Sequence, residues 1–269
     1  MKTMRALAAL ALVALVAAGC SREAKRYTIE EFLGTVSWSG GSFSHDEERL
    51  LVTSDRDGIF NAYSIPVAGG EPTQLTFSAG DNIFALSYLP GDDRFLYSSD
   101  RGGNEISHIF LQEKDGSARD LTPGEAARAV FYGWNHERTH FFYGSNARDE
   151  RFMDVYIMDA ADFSAKMIYL NDAGYEFGAV SNDMRYMAFS KTRTTSDRDI
   201  YLYDRSTGEV RHITPHVGEV FFAPTDFGPD SRTLRFLTDE ESEFRYLKSY
   251  DIATGKTELV EKHDWDILY

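Results

Sequence analysis

The segment Asp199-Ile-Tyr-Leu-Tyr-Asp-Arg-Ser-Thr-Gly-Glu-Val-Arg-His-Ile-Thr214 is one copy of a unit that returns along almost the whole chain. Ile200 to Tyr203 is a short β-branched and aromatic run, Asp204 to Gly208 supplies turn residues, and Val210 to Thr214 alternates in polarity, so the unit reads as a β-hairpin. The pattern recurs around Asn61-Ala-Tyr-Ser-Ile-Pro66 with Gly69-Gly70, Ile109-Phe-Leu-Gln-Glu113 with Asp115-Gly116, Asp154-Val-Tyr-Ile-Met-Asp159, and Leu247-Lys-Ser-Tyr-Asp251 with Thr254-Gly255. Register follows from counting. The column Pro66, Glu113, Asp159, Asp204, Asp251 is spaced by 47, 46, 45 and 47 residues, and the column Leu75, Leu121, Ile168, Ile213, Leu259 by 46, 47, 45 and 46. Two independent columns therefore share one period.

Each hairpin is preceded by two further runs. The nearer ones are Arg94 to Tyr97, Phe141 to Tyr143, Tyr186 to Phe189 and Leu234 to Leu237, entered through polar turns such as Pro90-Gly-Asp-Asp93. The earlier ones are Phe84 to Tyr88, Ala129 to Tyr132, Phe177 to Val180 and Val220 to Ala223. Four strands in a period of about 46 residues is the pattern of a β-propeller blade. The expected fold is all-β: five four-stranded blades at about 35–78, 81–124, 128–172, 175–217 and 219–262, with the start of a sixth at 263–269.

The chain opens with Lys2 and Arg5 ahead of an apolar run from Ala6 to Ala18, too short to span a bilayer as a helix, so residues 1–19 read as a secretory signal. Val16-Ala-Ala-Gly-Cys20 resembles a bacterial lipobox, which makes Cys20 the lipidated mature N-terminus. Cys20 is the single cysteine, so an intrachain disulfide is excluded and stability has to come from core burial. Residues 20–34 read as a tether and a short helix, because Thr28-Ile-Glu-Glu31 fits a capping box and Gly34 a stop. The formal charge of −15 argues against nucleic acid or anionic membrane as partners; membrane contact is expected only through the lipid.

Tyr27-Thr-Ile-Glu-Glu-Phe32, Ile65-Pro-Val-Ala-Gly-Gly-Glu-Pro-Thr-Gln-Leu-Thr76, Ser99-Asp-Arg-Gly-Gly-Asn-Glu105, Asp120-Leu-Thr-Pro-Gly-Glu125 and Val260-Glu-Lys-His-Asp-Trp-Asp-Ile267 resemble the N-terminal propeller of prolyl oligopeptidase family serine peptidases, which include dipeptidyl and acylaminoacyl peptidases. The resemblance covers residues 27–269 and implies a C-terminal α/β-hydrolase domain as partner, with short peptides as substrates. The lipobox implies a bacterial cell-envelope location, as a periplasm-facing or surface lipoprotein anchored through Cys20. The hydrolase domain and its triad are not in this chain, so no catalytic residue, cofactor or metal is assigned, and the polypeptide alone is expected to be inactive. The nearest approach to the nucleophile motif Gly-x-Ser-x-Gly is Gly40-Gly-Ser-Phe-Ser44, which lacks the last glycine and precedes a hairpin.

Other candidates read as turn residues. Family members with dipeptidyl activity hold the substrate's amino terminus on paired glutamates, but Glu47-Glu48 and Glu240-Glu241 fall in inter-strand turns. His136-Glu-Arg-Thr-His140 matches the zincin pattern, whose logic requires a helix, whereas the repeat puts it in a turn entering a strand. His212 and His216 share the spacing but flank a strand end, with Pro215 between them. The Ser-Asp-Arg stretches at 54–56, 99–101 and 196–198 fit turn hydrogen bonds and ion pairs at blade hairpins, with a substrate-facing arginine among them as the functional alternative. A protein-binding propeller of TolB type is the competing function; a self-contained propeller lyase or glycosidase would need convergent carboxylates or histidines on one rim. Five blades and one strand are expected to form an open arc of an incomplete chain, with apolar faces exposed around Leu50 to Val52 and around Phe236 and Tyr246.

Overall fold

The computed structural model describes residues 25–268; the signal segment and Cys20 lie outside them. The chain divides into two units, 1–36 and 37–269. In the first, Thr28 caps a single short helix, α1 (Ile29–Leu33). Thr28 Oγ1 accepts from the Glu31 N–H at 3.1 Å and Glu31 Oε2 from the Thr28 N–H at 3.0 Å, the reciprocal capping box expected from the sequence. Among the described residues no helix is long and apolar enough to cross a membrane.

The second unit is five four-stranded sheets. Blade one is β1 (Trp38–Phe43), β2 (Arg49–Ser54), β3 (Asn61–Pro66) and β4 (Thr73–Gln74). Blade two is β5 (Ile83–Tyr88), β6 (Phe95–Ser99), β7 (His108–Gln112) and β8 (Ala118–Asp120). Blade three is β9 (Ala129–Trp134), β10 (His140–Ser145), β11 (Asp154–Asp159) and β12 (Ala165–Tyr169). Blade four is β13 (Glu176–Val180), β14 (Tyr186–Thr194), β15 (Asp197–Asp204) and β16 (Glu209–His212). Blade five is β17 (Phe222–Phe227), β18 (Thr233–Thr238), β19 (Tyr246–Asp251) and β20 (Thr257–Glu261). Strands pair antiparallel in sequence order in every sheet, which is the β-propeller arrangement predicted from the period.

The first strand of each blade is bulged at one register. The unpaired residues are Gly40-Gly41, Leu86, Tyr132, Gly178 and Thr225, spaced by the same period as the hairpins. A bulge bends a strand and sharpens its twist. First strands pack beside one another, β1 against β5 and β13 against β17. At Gly178 a Cβ would lie 2.3 Å from Pro224 Cγ on the next blade, so only glycine permits that approach.

Apolar side chains of the middle strands fill four cores between consecutive blades. Leu51 joins Tyr88, Phe95 and Tyr97; Leu96 and Leu111 join Phe141 and Met158; Val155 and Tyr169 join Met187 and Phe189; Ala188, Ile200 and Leu202 join Phe222, Leu234 and Phe236. The exposed faces differ from those expected. Leu51, Val52, Phe236 and Tyr246 are all buried; strand alternation turns Leu51 into the core shared with blade two and Phe236 into the core shared with blade four. The exposed apolar residues at the two ends of the array are instead Trp38 and Phe43 on β1 and Leu259 and Val260 on β20.

Residues 262–268 carry no strand, yet they hold the register of one. The Ile267 N–H donates to Arg245 O at 3.0 Å, as Ile83 does to Phe60 O and Ala129 to Ser107 O at the entry of blades two and three. Asp266 Oδ1 accepts from the Arg245 N–H, as Asn82 Oδ1 does from that of Phe60.

Candidate functional site

In each sheet the hairpin joining the second and third strands lies at the same end as the connection to the next blade. This loop end is built on one recurring position. Asn61, His108, Asp154, Asp199 and Tyr246 occupy it, with the spacing of the hairpin column, and each side chain ties the third strand to a loop beside it. Asn61 Oδ1 accepts from Thr76 Oγ1 and the Ser78 N–H, both at 2.9 Å. His108 Nδ1 lies 2.7 Å from Asp120 Oδ2 and its Nε2 3.0 Å from Gly124 O. Asp154 takes a bidentate fork from Arg148 at 2.7 and 2.8 Å and the Asn171 N–H at 2.7 Å. Tyr246 donates to Glu240 O at 2.9 Å. Beside these anchors Thr76, Thr122 and Thr214 accept from the Ala62, Ile109 and Ile200 N–H groups at 2.8 to 2.9 Å. These buried anchors are paired, so they give the loop end a stiff base.

Blade four carries the densest of these arrangements. Its hairpin is the longest in the array, nine residues in β14 and eight in β15, which brings Arg193 back over Asp197 and Asp199. Asp199, 2 % exposed, bonds Arg193 and takes His212 Nε2 at 2.7 Å; Asp197 faces His216 Nε2 at 3.0 Å. Burial alone would raise the Asp199 carboxyl, but the hydrogen bonds from Arg193 and His212 outweigh it and hold the group below the ordinary carboxylate range. The same bond raises Arg193. Both histidines that flank the end of β16 thus converge on the two aspartates of β15. Among the described residues no three His, Cys, Asp or Glu side chains are placed to hold a metal ion.

Blade two presents a cleft of about 230 Å³ at the loop end, with Arg101, Asn104, Ile106, His108, Phe110 and Glu125 in its lining. His108 stacks on Phe110, which stacks on Tyr97 at 5.1 Å. The connections that follow blades one, three, four and five each expose a large apolar side chain, Phe77, Leu170, Val217 and Trp265, and that after blade two exposes Pro123. At the opposite end the exposed large apolar residues among those described are fewer, Phe43 and Val67 on blade one and Val210 on blade four. Apolar surface is concentrated on the loop end.

The remaining candidates lie apart. Ser42 sits in β1 and shares its hydroxyl with Ser87 at 3.2 Å, and Trp134 Nε1 donates to Ser87 at 2.8 Å, a polar chain crossing three blades. Glu47-Glu48 lies in the turn before β2 and Glu240-Glu241 in the turn before β19, with Glu240 paired to Lys248 at 2.8 Å. His136 is exposed in the turn before β10, while His140 faces Asp159 at 3.5 Å. The Ser-Asp-Arg stretches lie at the hairpins: Asp55 accepts from the Ser37 N–H, Asp100 from the Glu105 N–H, and Arg198 pairs with Glu176. Sequence reasoning missed the Arg193–Asp199–His212 cluster. Its signal was present, since pairing Tyr201 with His212 in the hairpin sets Asp199 beside the strand end.

No family model matches the sequence. It is 26 % identical over 226 residues to dipeptidyl aminopeptidase BIII of Pseudoxanthomonas mexicana, a match that covers 81 % of this chain and 32 % of that protein. The chain thus spans about a third of the length of the curated relative it matches. Among solved structures, a prolyl endopeptidase superposes with a TM-score of 0.61 at 13 % identity, over 83 % of this chain and 35 % of that one. TolB from Acinetobacter baumannii superposes with a TM-score of 0.51 at 16 % identity, over 82 % of this chain and 53 % of the other. The last two likenesses establish the propeller fold. Together with the sequence match, they make this chain a β-propeller related to the N-terminal propeller of the prolyl oligopeptidase family of serine peptidases.

Proposed function

We propose that this chain is the substrate-gating propeller of a secreted, lipid-anchored serine peptidase of that family, docking by its loop end on an α/β-hydrolase domain and admitting short peptides. The observation that carries the reading is the 226-residue similarity to a dipeptidyl aminopeptidase. The apolar side chains gathered on the loop connections support it, because surface of that kind marks contact with another protein. The gating propeller contributes no nucleophile; its chemistry is exclusion, a rigid rim that keeps folded chains from the triad.

Residues 20–269, mixed with the separately expressed hydrolase domain of the Pseudoxanthomonas relative, are expected to bind it. Binding should cut cleavage of an unfolded protein substrate at least several-fold while sparing a dipeptidyl anilide, and residues 20–269 alone should cleave neither. Failure to bind the hydrolase domain would favour the TolB-like alternative, a module that binds proteins without gating a peptidase. The anchoring half of the proposal is tested separately. Cys20→Ser should abolish incorporation of radiolabelled palmitate, and equal labelling of both forms would overturn lipidation at Cys20.

A further inference from the structure

Two guanidinium groups meet on one aromatic ring where blade four hands over to blade five. Phe221, buried immediately before the first strand of blade five, has the Arg198 guanidinium 5.5 Å and the Arg245 guanidinium 4.0 Å from its ring centre. Arg245 makes no side-chain hydrogen bond or ion pair among the described residues. Arg198 gives Nη2 to Glu176, leaves Nη1 without an acceptor, and has its Nε–H shut from solvent with no partner. A buried donor without an acceptor is uncommon in a folded protein and calls for an explanation.

Among the carboxylates near this pair, Glu176 is on Arg198, Glu240 is on Lys248 at 2.8 Å, and Asp239 and Asp266 accept the Phe221 and Arg245 N–H groups, each at 2.8 Å, without an ion pair to either guanidinium. The chain as a whole is strongly acidic, with 43 Asp and Glu against 28 Lys and Arg, so two guanidinium groups with unused donors at one spot stand against the prevailing charge. Glu176 opens β13 and Phe221 precedes β17, so the pair sits at the loop end beside the bulged first strands. Both guanidinium groups lie within cation–π distance of that ring, and a guanidinium fork suits a planar, two-oxygen anion.

We infer that Arg198 and Arg245, set on Phe221, form a binding site for the free carboxylate of a short peptide. The inference rests on the peptide-handling reading above but needs no hydrolase domain, so the two can fail independently. Arg245 supplies the open fork, and Arg198 Nη1 reaches the second oxygen while Glu176 keeps its orientation.

The probe is N-acetyl-dialanine with a free carboxylate, compared with its C-terminal amide. Titration of the chain, followed through the arginine Nε–H signals in nitrogen-15 NMR, should shift the Arg198 and Arg245 signals saturably with the acid but not with the amide. Arg245→Gln should weaken binding about tenfold, corresponding to about 1.4 kcal/mol. Arg235→Gln should leave it unchanged, since that guanidinium already pairs with Asp226. Equal shifts with acid and amide, no saturable shift, or binding that survives Arg245→Gln would overturn the site.

Discussion

Replacing Phe189 by alanine is expected to cost about 3–5 kcal/mol and to break the single unfolding transition into two. Phe189 is fully buried between blades three and four, where its ring lies 4.5 Å from Tyr169, 6.0 Å from Tyr175 and 6.1 Å from Phe177. Truncation removes the transfer energy of the ring and leaves a cavity that other large, rigid rings cannot collapse to fill. The split follows from the architecture. Each blade packs on its neighbours in sequence, so the array behaves as a chain of units joined by interfaces, and weakening one interface uncouples the two sides. Urea unfolding followed by tryptophan emission suits the test, because Trp38 lies on one side of the break and Trp265 on the other. A single transition with a loss below about 1 kcal/mol would contradict both parts, since an ordinary surface change costs less than that.

Asp199→Ala should be nearly as damaging, by about 3 kcal/mol at neutral pH, because it leaves a buried gap beside His212 and leaves Arg193 only its longer contact with Asp197, at 3.4 Å. The acid dependence identifies the cause. Arg193 and His212 hold the folded Asp199 carboxyl below its unfolded value of about 3.9. Its contribution is therefore complete above that value and disappears as the pH falls toward the lower folded value. The contribution of the Asp199 charge to the stability gap between the parent chain and Asp199→Ala should accordingly fade as the pH falls below about 4. Hydrogen exchange should report the same loss locally, with faster exchange in the connection 213–221 that His216 and Thr214 fasten to β15. A gap that persists undiminished in acid would assign the damage to packing rather than to charge.

Much of the molecule was legible in one dimension. The blade count, the strand order within each sheet and the capping box at Thr28 follow from periodicity and local chemistry, which act over a few residues and survive in any context. The turn placement of His136, Glu47-Glu48 and Glu240-Glu241 followed from the same register, against motif matches that suggested chemistry.

Tertiary structure decided the rest. Alternation shows that Leu51 and Val52 point to opposite faces, but not which face meets blade two; the inter-blade packing settled that, placing Leu51 in the core shared with blade two and Phe236 in the core shared with blade four. Arg193, Asp199 and His212 are ordinary surface types in the sequence, and only the length of the blade-four hairpin folds the arginine back onto the buried aspartate. Arg198 and Arg245 are 47 residues apart, a blade period, and nothing local to either suggests that they share the ring of Phe221. A repeat determines each blade because its interactions are short-ranged along the chain. Sites arise where neighbouring blades depart from the repeat and meet, and those distances exist only in three dimensions.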